Sequence, residues 1–373
     1  MNLETQTIRC ESASPEEIVS EIAAAFGDTP LAMTLFFASP RVPFTRLAQL
    51  MHDQIPGPSI GCTTAGEICG ETGHCENSVV VMGIRSDAIE FRSKLIQQAS
   101  SLTTIRAEAE LSTLAMPASA DESRKSFGLV LIDGLSRAEE RVAGALAHAL
   151  KDIPFAGGSA GDDLRFEETF VACDGVVAQD AAVVSVAETA LPFQIFHTHH
   201  FERTPETLVI TDAVPSERRV REINGRPAAE GYAEAIGMRV EDLSPDIFAA
   251  HPVLLTVGGA PFVRSIQKMD EDGSLVFFCA IEEGLVLRVA RAKQLTAELA
   301  DELTRISETM EPAAIIAFDC VLRRLEILSK GLRDDVSSML RGVPVVGFST
   351  YGEQYNGLHV NQTLTGVAIG RAA

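Results

Sequence analysis

No apolar run in the sequence approaches the ~20 residues that a bilayer-crossing helix needs, which excludes a helical membrane protein. The opening residues, MNLETQTIRCESASPEE, lack a basic stretch followed by an apolar core. No secretory signal is therefore expected, and a cytoplasmic location is. Basic residues are scarce: 31 Lys plus Arg stand against 52 Asp plus Glu, a formal net charge of -21. Such a surface repels phosphate backbones and anionic membranes, so neither nucleic acid nor membrane is expected as a partner. The acids are spread along the chain and read as a solvated surface. The seven cysteines form no CxxC pair, and an odd number leaves at least one thiol outside any disulfide framework.

Enzyme signatures are missing as well. No GxGxxG opens a helix after the first strand, and neither GxxxxGK[ST] nor HExxH occurs, so dinucleotide, P-loop and zincin chemistry have no support. Cys62, Ser159 and Ser349 are the nearest candidate nucleophiles, but GGSAG and GFSTYG depart from the GxSxG spacing of a nucleophile elbow. A distant histidine could still complete a Cys or Ser site in the fold, so such an enzyme stays as an alternative while the main expectation is a protein without catalysis.

What is present, in 373 residues of which 46% are hydrophobic, is enough apolar material for two ordinary domains. It contains one unit three times. LAMTLFFAS, FGLVLIDG and AAIIAFDC read as buried strands, each followed by an amphipathic helix and a second short strand. In the middle copy the helix is predicted over 136–150, with Ser136 as N-cap and Glu139 in its third position. Each second strand ends in a small-residue turn closed by an acid: Gly61, Gly66 and Glu67; Gly157, Gly161 and Asp162; Gly347, Gly352 and Glu353. Adjacent parallel strands are expected within each unit.

Between the second and third copies the period changes to two. Residues 170–188 read as a hairpin turning at Asp174-Gly175, PFQIFHTHHF as a strand, and Asn224-Gly225 as another turn before a helix over 226–237 that Gly237 closes. The expected fold is α/β, with repeated β-α-β units forming mixed sheets covered by helices, in two domains, 1–220 and 221–373. The small residues of the turns, Gly61, Cys62, Thr63, Gly158, Ser159, Ser349 and Thr350, leave backbone N–H groups that could meet a polar ligand, or else mark tight packing.

These motifs resemble the FIST family of bacterial sensor proteins. The resemblance rests on GCTTAGE, FAGGSAGDD and DGVVAQDAAVV in the amino-terminal part, and on EINGRPAAEGYAEAIG and GFSTYGEQYNGLHVNQTLTGVAIG in the carboxy-terminal part. The runs HPVLLTVGGAPFVRSIQ and GSLVFFCAIEEGLVLRVARA are most similar to its nitric-oxide-sensing haem branch. That resemblance implies haem b as cofactor, nitric oxide as ligand, and a sensor histidine kinase or cyclic-di-GMP enzyme as the regulated partner, with a homodimer left open. A haem-free small-metabolite-binding module is the alternative.

A haem iron would take an axial histidine in an apolar pocket. The candidates are His197, His199 and His200, with His197 and His199 on one face of the expected strand and His200 on the other, and His359 beside the third turn. Arg264 and Arg288 lie in apolar strands and could meet a propionate or, by preference, Glu282 or Glu283. The group Cys62, Cys69, His74 and Cys75 is too loosely spaced for structural zinc and reads as free cysteines.

Overall fold

The computed structural model describes residues 3–114 and 124–372. It divides into two compact units. The larger comprises 1–198, 299–359 and 364–373, and the smaller comprises 199–298 and 360–363.

The first repeat runs β1 (Leu3–Cys10), α1 (Pro15–Phe26), β2 (Met33–Ala38), α2 (Phe44–Gln54), β3 (Ser59–Thr63), the hairpin β4 (Glu67–Cys69) and β5 (Gly73–Cys75), and the return strand β6 (Val79–Ser86). The second has the same plan: β7 (Ile89–Gln97), α3 (Thr104–Leu111), β8 (Lys125–Ile132), α4 (Glu139–Leu150), β9 (Phe155–Ser159), β10 (Val171–Cys173), β11 (Val176–Ala178) and β12 (Ala181–Thr189). The third opens with β13 (Phe193–Thr198), after which the chain leaves for the smaller unit.

That unit contains β14 (Phe201–Val214), β15 (Arg219–Ile223), β16 (Arg226–Pro227), α5 (Ala228–Ala235), α6 (Pro245–Ala250), β17 (Val253–Val257), β18 (Ala260–Arg264), β19 (Ile266–Met269), β20 (Leu275–Phe277) and β21 (Val286–Ala292). Its strands join in the order β18-β17-β21-β14-β15-β20-β19, with β16 on β15. Tyr232, Phe248, Phe277 and Leu287 fill its core. The chain then returns through α7 (Leu295–Thr309), whose residues from Leu299 onward belong to the larger unit. The third repeat is completed by β22 (Pro312–Cys320), α8 (Val321–Ser329), α9 (Arg333–Leu340), β23 (Val345–Thr350), β24 (Glu353–Tyr355), β25 (Leu358–Val360) and β26 (Leu364–Gly370).

The mixed α/β architecture expected from the sequence is present. Each repeat builds one six-stranded sheet, and the parallel pairs foreseen inside the repeats are β2/β3, β8/β9 and β22/β23. Every return strand pairs antiparallel on the other side of the first repeat strand.

The hairpins do not stay at home. The first repeat's β4–β5 completes the third sheet, the third repeat's β24–β25 completes the second, and the second repeat's β10–β11 completes the first. Each repeat thus covers the open edge of another one's second strand, which leaves no parallel pair with an unpaired inner edge. The two-residue turn at Asp174-Gly175 (φ 47° and 80°) is where the sequence placed it, and so is that at Asn224-Gly225 (φ 55° and 73°).

Three local expectations are corrected. The helix α4 begins at Glu139 behind Ala138, because the Ser136 hydroxyl is turned back onto the Asp133 carbonyl at 2.6 Å instead of capping. Glu139 is therefore its first residue. The third repeat carries α8 as well as α9, where one helix was expected. The strand read through PFQIFHTHHF stops at Thr198, since His199 and His200 lie between β13 and β14 as the chain passes into the smaller unit.

Candidate functional site

The three repeat turns meet and bond to one another in a closed cycle. Ala65 N–H donates to the Ser349 carbonyl at 3.0 Å and Ser349 N–H to Gly66 at 2.7 Å. Tyr351 N–H reaches Ser159 at 3.1 Å and Ser159 N–H reaches Gly352 at 2.8 Å, while Gly161 N–H closes the cycle on Thr63 at 3.0 Å. Gly61, Cys62, Thr63, Gly158, Ser159, Ser349 and Thr350 are all brought here, and all are buried. The cited N–H groups are spent on neighbouring turns, so the junction is the knot holding the three repeats together. The closing acids are buried with it: Thr64 Oγ1 donates to Glu67 Oε1 at 2.5 Å, and Thr350 donates to Glu353 in the same way. Burial pushes the Glu67 carboxyl up to about 7, against the opposing pull of Thr64 and Ser78.

The equivalence of the repeats makes a departure visible in the third. Counting register from Gly61, Gly157 and Gly347, the place of Ala38 in the first sheet and Ile132 in the second is taken by Asp319. Ala38 and Ile132 belong to apolar clusters under their helices. Asp319 instead is a buried carboxylate, and the sequence around it explains its survival. It is the last residue but one of β22, and α8 follows directly after Cys320, so Arg323 lies one helical turn on, with its Nε 2.6 Å from Asp319 Oδ1. On the other side, the exchanged hairpin of the first repeat brings His74 Nε2 to 3.3 Å from Asp319 Oδ2. Burial alone would raise the Asp319 carboxyl; the Arg323 guanidinium and His74 more than offset this and hold it below the usual carboxylate range.

This group borders a cavity of about 30 Å³ between the third sheet and α7, α8 and α9. That is room for one or two waters. Its walls are mainly apolar, with Ile68, Phe196, Leu299, Ile306, Ile327 and Leu364 among them, and the buried Glu302 of α7 joins His74, Asp319 and Arg323 as its polar part. Glu302 Oε2 lies 2.9 Å from Arg305 Nη1. His74 is 8% exposed, and its Nδ1 has no hydrogen-bond partner among the described residues. A neutral imidazole that gives its Nε2–H to a carboxylate keeps Nδ1 as an acceptor lone pair.

The residues expected to hold haem lie elsewhere. His197 packs on Tyr355, ring centres 5.0 Å apart. His199 and His200 belong to the smaller unit, where His199 Nδ1 accepts from Phe201 N–H at 3.3 Å and the His200 ring lies 4.3 Å from that of Phe201. His359 is buried, with Nδ1 3.4 Å from Gln354 Nε2. None of the four lines the cavity, and about 30 Å³ is an order of magnitude below the several hundred that a large planar cofactor needs. Haem does not fit this cavity. Arg264 is buried at the end of β18, whereas Arg288 points to solvent from β21 and bonds the Pro205 carbonyl at 2.5 Å, because the period-two register puts Leu287 and Val289 inside.

Sequence reasoning weighed His74 only beside cysteines and passed over Asp319, Arg323 and Glu302. The signal was available: an acid closing the otherwise apolar AAIIAFDC, followed four residues later by an arginine, is a charge that must find a buried partner.

With this geometry in place, comparison with family models gives two matches: the FIST N domain over residues 32–226 and the FIST C domain over residues 228–356. No curated protein matches the chain. The seam between the two matches falls within 199–298, inside the smaller compact unit.

Proposed function

The chain belongs to the FIST family, whose domains are signalling sensor domains, and from that premise we propose that it senses a small ligand in the cavity of the third repeat. The observation that carries this reading is the buried His74, held by Asp319 with Nδ1 unpartnered among the described residues, at the wall of an apolar cavity. The charges around it balance, Asp319 against Arg323 and Glu302 against Arg305. The ligand that suits such a site is small and largely apolar, with one group able to donate a hydrogen bond to His74.

The helix α7 supplies the output. Leu299, Glu302, Leu303 and Ile306 line the cavity, and the same helix begins at Leu295 in the smaller unit. A ligand that fits only when α7 has shifted would favour that arrangement, a population shift requiring unequal affinity for the two states. A partner such as a histidine kinase or cyclic-di-GMP enzyme would read the change by contact. Among the described residues no hydroxyl or thiol lines the cavity, which favours binding over nucleophilic catalysis despite the oriented histidine.

Haem-dependent nitric oxide sensing is the second reading, and it rests on the resemblance alone. Thermal unfolding of wild type and His74→Ala, with a panel of short-chain alcohols, amides and protonated carboxylic acids, separates the two. A saturable stabilisation lost in His74→Ala supports the cavity. A panel that shifts neither protein, with a Soret band on supplying haem, overturns it in favour of the haem sensor.

A further inference from the structure

Two cysteines end the two strands of the hairpin that carries His74. In the register of β4 and β5, Glu67 faces Cys75, Ile68 faces His74 and Cys69 faces Gly73. Cys69 and Cys75 are therefore diagonal neighbours on one face, and both belong to the same buried cluster. The Cys69 sulfur lies 3.2 Å from Thr72 Oγ1.

Cys69, though 1% exposed, forms part of the wall of a cleft of about 320 Å³ bordered by Thr5, Thr7, Arg9, Glu71 and Pro344. The cleft puts open space beside Cys69.

We propose that Cys69 and Cys75 are a redox pair, which a hydroperoxide converts to an intramolecular disulfide. The Cys69 thiolate attacks the hydroperoxide; its O–O bond breaks, an S–O bond forms, and the departing alkoxide takes up a proton to leave as alcohol. The Cys75 sulfur then attacks the Cys69 sulfur, the S–O bond breaks, and hydroxide leaves as water with the Cys75 proton. Two thiols lose two electrons and the hydroperoxide gains them.

The roles follow from position, since Cys69 borders the cleft and Cys75 does not. In keeping with this, the contact with Cys75, aided by Thr72, lowers the Cys69 thiol. A matched control exists in the same unit. Cys62 on β3 and Cys173 on β10 have the same diagonal offset, since Val171 faces Cys62 and Cys173 faces Ile60. Burial raises both of these thiols, Cys173 to about 12 with Asp174 adding to the effect, so this second pair should stay reduced. The chemistry is independent of whether a ligand occupies the cavity.

The test is native, reduced protein treated with cumene hydroperoxide, quenched with iodoacetamide and mapped by mass spectrometry. The expected result is loss of two hydrogens from the peptide carrying Cys69 and Cys75, at least ~10-fold faster than any change at Cys62 or Cys173. Cys75→Ser should stop at a dimedone-reactive sulfenic acid on Cys69. Absence of a bridge in the folded wild type, or equal oxidation of the two pairs, would overturn the proposal.

Discussion

The His74 imidazole, carried by the first repeat's hairpin, is held 3.3 Å from the Asp319 carboxylate, near the end of β22 in the third repeat. The contact exists only because hairpins are exchanged between repeats, and it joins a histidine to an ion pair that the other two sheets lack at the same register. In the second hairpin the place of His74 is Val177, and in the third it is His359.

Breaking this ion pair should be costly and replacing it should not. Asp319→Ala removes the carboxylate held 2.6 Å from the buried Arg323 guanidinium, and urea unfolding should show a loss of ~3–5 kcal/mol. The double variant Asp319→Leu with Arg323→Met should recover most of that stability. A single variant as stable as wild type would mean that Arg323 finds water or another acid.

Glu67 should make stability fall with rising pH. Its folded value, about 7, lies above the unfolded value of 4.5, so its contribution is full below 4.5 and is lost as pH climbs through about 7. The whole span corresponds to ~3 kcal/mol. Unfolding measured at a series of pH values should show this slope in wild type and not in Glu67→Gln, the difference isolating this carboxyl from other groups.

Gly61, Gly157 and Gly347 should be equally intolerant of a side chain. At each, an added Cβ would run into a backbone carbonyl of the neighbouring parallel strand, that of Phe36, Val130 or Ala317. Each Gly→Ala change should cost ~1–3 kcal/mol by chemical denaturation, since a strand backbone cannot swing aside as a flexible side chain can. One silent position among the three would show that its sheet is not built like the others.

Tyr351 should hold the segment after the second turn. Its hydroxyl donates to Asp162 and accepts the Leu164 N–H at 2.8 Å, where Asp163, Leu164 and Phe166 all have positive φ, between 55° and 64°. Tyr351→Phe should cost ~1–3 kcal/mol and raise amide exchange over residues 163–168 above the rest of the second repeat. Unchanged exchange there would assign the constraint to the Asp162 carboxylate, which accepts from Phe166, Glu167 and Glu168.

The sequence by itself determined what depends on neighbours along the chain. Apolar runs and helical periodicity marked the three β-α-β units, and because a short crossover of this kind forces strands to run side by side, their parallel pairing followed. Asp174-Gly175 and Asn224-Gly225 placed two turns because few residues accept positive φ. The tertiary structure alone decided where the hairpins went, since a strand of three residues can complete any sheet whose edge is open, and its own composition names none. It also decided that β13 and α7 would be separated by a compact unit of their own. The site belongs to this second class: His74 lies far in sequence from Glu302 and Asp319, and a buried charge becomes a binding feature only when the fold brings its partners together and leaves a space beside them.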